Sequence, residues 1–239
     1  MGVWQKRLSI AIGFPVLLAL AACGAEPADV PSEETAEEKG AELPEIPVMG
    51  PERTIVAFGD SLFAGYGLSP DESYPAKLER ALRSKGVNAV MVNAGVSGDT
   101  SAAGRDRLAF TLDQQEAKPD LFILELGGND LLRQITPDET RANFDAMLTE
   151  LKARDIPVLI MGMRAPPNYG PEYQADFDAI YGEMAEKYDT ELIPFWLNDI
   201  FEDQSLFQRD RIHPTAEGIE ALVTSTLDEV TAALPEAEE

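Results

Sequence analysis

Along this chain, short apolar runs alternate with longer stretches in which apolar and polar positions interleave. The short runs are Thr54–Phe58, Val87–Val92, Leu121–Leu126, Val158–Met163 and Leu192–Phe195. They are rich in Val, Ile, Leu and Phe without strict alternation, the pattern of strands covered on both faces. The longer stretches predict helices over about Ser73–Ser84, Ser101–Gln115, Asp138–Arg154, Glu172–Tyr188 and Ala216–Ala233. Thr136-Pro137-Asp138-Glu139 supplies a capping Thr, a first-turn Pro and acids where a helix should start. Gly86 follows another helix as a C-cap. A βαβαβ rhythm implies a parallel sheet with helices on both sides. Five strands within residues 54–234 predict an α/β fold, a flavodoxin-like three-layer α/β/α sandwich with a central five-stranded parallel sheet. In such sheets, sites form at the carboxyl ends of the strands.

A different pattern precedes this domain. Lys6-Arg7 is followed by an apolar run from Leu8 to Ala22, too short for a confident membrane span. A positive start and a short apolar stretch form a secretory signal. The run ends in Leu20-Ala21-Ala22-Cys23-Gly24, which looks like a bacterial lipobox. Residues 1–22 are therefore expected to be a lipoprotein signal peptide, with Cys23 lipidated and membrane-anchored. The alternative is an ordinary signal peptide with an incidental Cys. Residues 23–53 read as an acidic, self-repelling tether, rich in Glu, Pro and Ala and without aromatics from Ala25 on. Extended, it spans at most about 100 Å. Residues 235–239 form an acidic tail. The expected location is the bacterial envelope, facing the periplasm. Gly24, rather than Asp, follows Cys23, which favours the outer membrane.

Charge narrows the partners. Acidic residues number 43 against 19 basic ones, a net charge of -24. Such a surface repels nucleic-acid phosphates, so no nucleic-acid partner is expected. One cysteine forms no internal disulfide, and one Cys with one His builds no Cys/His zinc site. No metal site is expected. The lone histidine, His213, is the one imidazole through which acid–base chemistry near neutral pH can run.

Four segments carry candidate chemistry. The first strand runs into Gly59-Asp60-Ser61-Leu62, where Ser61 is either a lifted nucleophile or, like Asp60, a turn cap. The second runs into Asn93-Ala-Gly-Val-Ser-Gly-Asp-Thr100. There Gly98 offers a backbone N–H to an oxyanion and Asp99 a helix cap, and both can hold. Ser97 is a rival nucleophile, but its surroundings lack the second Gly of a Gly-x-Ser-x-Gly elbow. The third ends in Glu125-Leu-Gly-Gly-Asn-Asp130, where Asn129 is an oxyanion donor or a helix cap. The last is Asp210-Arg-Ile-His213-Pro214. Pro214 turns His213 away from helical geometry, and three residues of turn bring Asp210 back against the imidazole.

Together these segments resemble the SGNH-hydrolase (GDSL esterase/lipase) superfamily, in its bacterial thioesterase, arylesterase and lysophospholipase branch. Pro166-Pro-Asn-Tyr-Gly170 also looks like that branch. The resemblance covers residues 54–234 and implies a catalytic triad of Ser61, His213 and Asp210. It implies an oxyanion hole of Ser61, Gly98 and Asn129, and no cofactor. It also implies a loop, Leu131–Ile135, that moves over the acyl chain, and an opposite wall, Met163–Tyr173. Leu131, Leu132, Pro166 and Tyr169 are the expected substrate contacts. The implied activity is a serine esterase on aryl or short-chain esters. Lysophospholipase or thioesterase activity comes next, then polysaccharide deacetylation or a non-catalytic binding lipoprotein. The partner is a small ester or lysolipid. Oligomeric state, substrate and acyl length stay open.

Overall fold

The computed structural model describes residues 46–236. The apolar leader, Cys23, the tether up to residue 45 and residues 237–239 lie outside the described part. Among the described residues, no helix is long and apolar enough to cross a membrane.

Five strands form one parallel sheet: β1 (Arg53–Gly59), β2 (Ala89–Gly95), β3 (Leu121–Glu125), β4 (Val158–Met161) and β5 (Glu191–Ile193). Their order is β2-β1-β3-β4-β5. The sequence direction reverses between β1 and β3, the switch point at which doubly wound sheets open a crevice. β1 and β3 are buried along nearly their whole length, which accounts for their uninterrupted apolar runs.

The main helices are α2 (Tyr74–Ser84), α3 (Ser101–Asp113), α5 (Pro137–Ala153), α6 (Pro171–Tyr188) and α7 (Ala216–Ala233). α2 packs on α7 at one face of the sheet, and α5 packs between α3 and α6 at the other. This is the three-layer sandwich. Two short helices that the apolar spacing does not reveal are α1 (Ser61–Ala64) and α4 (Gly128–Leu132). The predicted cap at Thr136 forms, its Oγ1 accepting from Glu139 N at 3.3 Å.

Packing contacts reach past residues 54 and 234. Arg53 opens β1, is buried, and pairs with Asp120 at 2.9 Å. Its Nη2 donates to Pro235 O at 2.6 Å. Ile46 O accepts from Arg83 Nε at 2.8 Å, and Gly50 O accepts from Asn88 Nδ2 at 3.1 Å. The end of the expected tether and the start of the expected tail thus belong to the packed domain.

Candidate active site

At the carboxyl end of β1 the chain turns at Asp60, whose Oδ1 accepts from Leu62 N at 3.0 Å and caps α1. Ser61 is the first residue of that short helix. β2 reaches the same level: Val96 N donates to Gly59 O at 3.0 Å, drawing Ser97 and Gly98 alongside. Gly98 sits at φ +88°, a conformation that costs an L-residue about 1–2 kcal/mol. The helix cap expected at Asp99 is instead Thr100, whose Oγ1 accepts from Ala103 N at 3.3 Å. Asp99 turns sideways to Arg107, 2.5 Å away. Arg107 also donates to Gly59 O at 3.0 Å and lies 3.8 Å over the Phe58 ring. One guanidinium thereby joins the first and second segments.

Asn129 does not cap a helix. It lies inside α4, behind the N-cap Gly127, and its Nδ2 donates to Asp60 Oδ2 at 2.9 Å. Its neighbour Asp130 is fully buried and accepts from Ser101 N at 2.8 Å and Thr140 Oγ1 at 2.9 Å. A short hydrogen bond from Ser101 Oγ completes that set. The Asp130 carboxyl therefore fastens α4 to the start of α3 and to α5.

The last segment is a tight turn ahead of α7. Phe207 bridges Pro214, Gln208 N donates to His213 O at 2.7 Å, and Arg211 adopts φ +61°. Asp210 Oδ1 accepts from the Ile212 and His213 backbone N–H groups at 3.0 and 3.1 Å. Its Oδ2 lies 2.7 Å from His213 Nδ1. His213 Nε2 lies 2.8 Å from Ser61 Oγ. The Tyr66 ring lies 4.3 Å from the imidazole, centroid to centroid. Burial pushes Asp210 up, but hydrogen bonds from the His213 ring and from two backbone N–H groups outweigh it. Its carboxyl stays below the usual value. An acceptor-only group at Nδ1 fixes the tautomer that leaves Nε2 free to take a proton from Ser61. Ser97 lines the same cleft, yet both imidazole nitrogens are already engaged, by Asp210 and Ser61.

The cleft above these groups has a volume of about 770 Å³. All four expected substrate contacts, Leu131, Leu132, Pro166 and Tyr169, line it. Leu131 lies in α4 and is buried, whereas Leu132 is exposed. Tyr169 Oη donates to Leu131 O at 2.7 Å and Tyr173 Oη to Ile135 O at 2.8 Å. The expected covering loop is thus tied to the opposite wall. Tyr66, Phe195, Phe201 and Phe207, together with Arg164 and Arg211, also line the cleft. The sequence marks them only as aromatics and arginines in turn-rich segments.

Residues 57–221 match the GDSL-like Lipase/Acylhydrolase family. Esterase TesA of Pseudomonas aeruginosa is 40% identical over 162 residues, covering 68% of this chain and 80% of the relative. The Escherichia coli (strain K12) thioesterase 1/protease 1/lysophospholipase L1 is 38% identical over 164 residues, 69% of this chain and 76% of that one. Among solved structures, AlinE4, an SGNH-hydrolase family esterase, is 59% identical with a TM-score of 0.67. That match covers 79% of this chain and 100% of AlinE4. With this family match and these relatives, the chain belongs to the GDSL-like lipase/acylhydrolase family and is a carboxylic ester hydrolase.

Proposed function

We propose that the chain is a serine esterase of aryl and short-chain acyl esters, working through Ser61, His213 and Asp210. The observation that supports this is the continuous hydrogen-bonded line from Ser61 Oγ to His213 Nε2 at 2.8 Å and from Nδ1 to Asp210 at 2.7 Å. Ser61 Oγ attacks the ester carbonyl carbon while His213 Nε2 takes the hydroxyl proton. The Ser61 and Gly98 backbone N–H groups and the Asn129 amide hold the oxyanion. As the tetrahedral species collapses, the bond to the leaving alcohol breaks and His213 returns the proton to that oxygen. Water then attacks the acyl-enzyme by the same route, releasing the acid and restoring Ser61. No step requires a metal or cofactor. The aromatic walls from Tyr66, Tyr169, Phe195 and Phe207 suit flat or short acyl groups.

A second reading, lysophospholipase or thioesterase action, draws on the rim. Leu132, Phe201 and Ile212 continue the apolar lining while being exposed themselves, giving a longer acyl chain somewhere to lie. An acyl-length series on 4-nitrophenyl esters, run beside lysophospholipids and acyl thioesters, separates the two.

The first test is Ser61→Ala. It should abolish 4-nitrophenyl butyrate hydrolysis with the far-ultraviolet circular dichroism unchanged. A serine-directed phosphonate should label Ser61. Retained activity, or a label on Ser97, would overturn the assignment. For location we propose an envelope lipoprotein anchored through Cys23 and facing the periplasm, most simply at the outer membrane. Cys23→Ser should lose incorporated palmitate, and retained label would refute the anchor.

A further inference from the structure

Two carboxyl groups lie beneath Ser61 with no part in the chemistry above. Asp60 is 2% exposed and Glu125 is completely buried. Glu125 Oε2 accepts from Asp60 N at 3.3 Å, which brings the two residues together at the ends of β1 and β3. Two adjacent buried carboxylates repel each other and both lose their hydration, so a proton is retained between them. Their partners decide where. Asp60 accepts two good hydrogen bonds, from Leu62 N at 3.0 Å and Asn129 Nδ2 at 2.9 Å. Glu125 accepts only the long one, and its Oε1 has no partner among the described residues.

From this geometry we infer that the buried pair carries a single charge, held on Asp60, and that this charge orients the Asn129 amide as an oxyanion donor. A carboxylate only accepts, so the amide must turn its nitrogen, not its oxygen, toward Asp60. The second N–H of the same nitrogen has no other hydrogen-bond partner among the described residues, and Asn129 lines the cleft. A protonated Asp60 could instead donate, and would let the amide turn its carbonyl oxygen inward. Glu125 keeps its proton so that Asp60 can remain charged. The surrounding charges agree. Burial raises both groups, and the charge of Asp60 raises Glu125 further; hydrogen bonds and the nearby His213 offset only part of the rise at Asp60, which is left at about 6 and so is still charged at pH 7.5. Asp99 adds negative potential at Asp60 but is itself paired with Arg107, and Tyr181 faces Glu125 from α6. Asp60 and Glu125 are positioning residues: they act through Asn129.

The inference rests on the esterase reading for its meaning but can fail separately. In Asp60→Asn, kcat for 4-nitrophenyl butyrate should fall about 100-fold, the cost of one oxyanion donor. KM should stay within about threefold, because the lost contact belongs to the transition state. Asn129→Ala should give the same split, and the double variant should be no slower than Asn129→Ala alone. Independent, multiplying losses, or an unimpaired Asp60→Asn enzyme, would overturn the inference. If Asp60→Asn does not fold, infrared spectroscopy of the wild-type chain decides. At pH 7.5 it should show the carbonyl band of one buried protonated carboxylic acid, missing in Glu125→Gln. An unchanged spectrum in that variant would place the proton elsewhere and refute the charge assignment. If Ser61→Ala retains activity, the assignment of Ser61 as nucleophile fails while the infrared result still stands or falls by itself.

Discussion

Replacing Asp130 with Ala tests whether the second and third segments are held together by one carboxyl group. Asp130 is fully buried and accepts hydrogen bonds from Ser101 N, Ser101 Oγ and Thr140 Oγ1. A typical intramolecular hydrogen bond contributes about 1 kcal/mol net, and three give about 3 kcal/mol. Removing only the acceptor also strands buried donors, notably the N–H at the first residue of α3, at about 1–3 kcal/mol for an unsatisfied group. Thr140 can rotate its hydroxyl elsewhere, and Ser101 Oγ keeps its bond from Asn143 Nδ2 at 2.9 Å. The net expectation is a loss of about 3–5 kcal/mol, a large share of the 5–15 kcal/mol that holds a domain folded. Urea unfolding followed by circular dichroism at neutral pH should show the midpoint falling with the slope unchanged. Asp130→Asn, which keeps one acceptor oxygen but sets an NH2 group against a donor, should lie between the two. A loss below about 1 kcal/mol in Asp130→Ala would refute the reasoning, because it would place these bonds in the range of exposed polar contacts.

Three further outcomes follow from packing and charge. A Cβ at Gly95 would lie 2.4 Å from Ala64 N, 2.8 Å from Phe63 C and 2.9 Å from Asp60 O, all backbone atoms that cannot swing aside. Gly95→Ala should therefore cost at least about 1–3 kcal/mol by overpacking and should impair ester hydrolysis through α1, both readable by thermal melting and a 4-nitrophenyl butyrate assay. Tyr74 Oη meets Thr226 Oγ1 at 2.7 Å in the buried layer between α2 and α7. Tyr74→Phe should lose about 1 kcal/mol in urea unfolding, and less in a Thr226→Val background where the partner is already gone. Glu125 is held well above the ordinary carboxyl value of 4.5, first by burial and then by the charge of Asp60. Above the unfolded value the unfolded chain releases this proton while the folded one retains it, so this contribution to stability declines as pH rises toward the folded value. Glu125→Gln should remove that decline in a pH series of melting curves, and an unchanged decline would refute it.

Much of this architecture was legible because its physics is local. Ile55–Phe58 and Leu121–Leu124 are unbroken apolar runs because both faces of β1 and β3 are covered. Three of the chemical segments showed themselves through glycines and short polar residues clustered at strand ends, and the fourth through the lone His213 beside Asp210 and Pro214. Other features were hidden for identifiable reasons. β2 begins at Ala89 rather than Val87 and runs on through Asn93 to Gly95, in register with Ala57–Gly59. As an edge strand it is only half covered, so a polar Asn does not interrupt it. β5 stops at Ile193, before Pro194, which is confined by its ring and lacks a donor. α1 and α4 are too short to show a helical period. Asp60 and Glu125 are 65 residues apart, and nothing in a linear chain distinguishes a buried carboxyl from a solvated one. The part of the cleft wall from Phe195 to Phe207 comes from a segment without a strand or a glycine, so nothing in the linear chain marks it as lining the cleft.

The clasp between Arg53 and Pro235 has a consequence for how the enzyme can be attached to anything. It joins the first residue of β1 to the segment following α7, so both ends of the domain leave from the amino-terminal pole of the sheet. Ser61 lies at the other pole, a strand of seven residues away, or about 23 Å. A fused protein or a solid support joined directly at Ile46 or Glu236, the ends of the described domain, would therefore face the back of the molecule and leave the cleft unobstructed. Immobilised this way, the enzyme would meet esters arriving from solution more readily than those lying in the support.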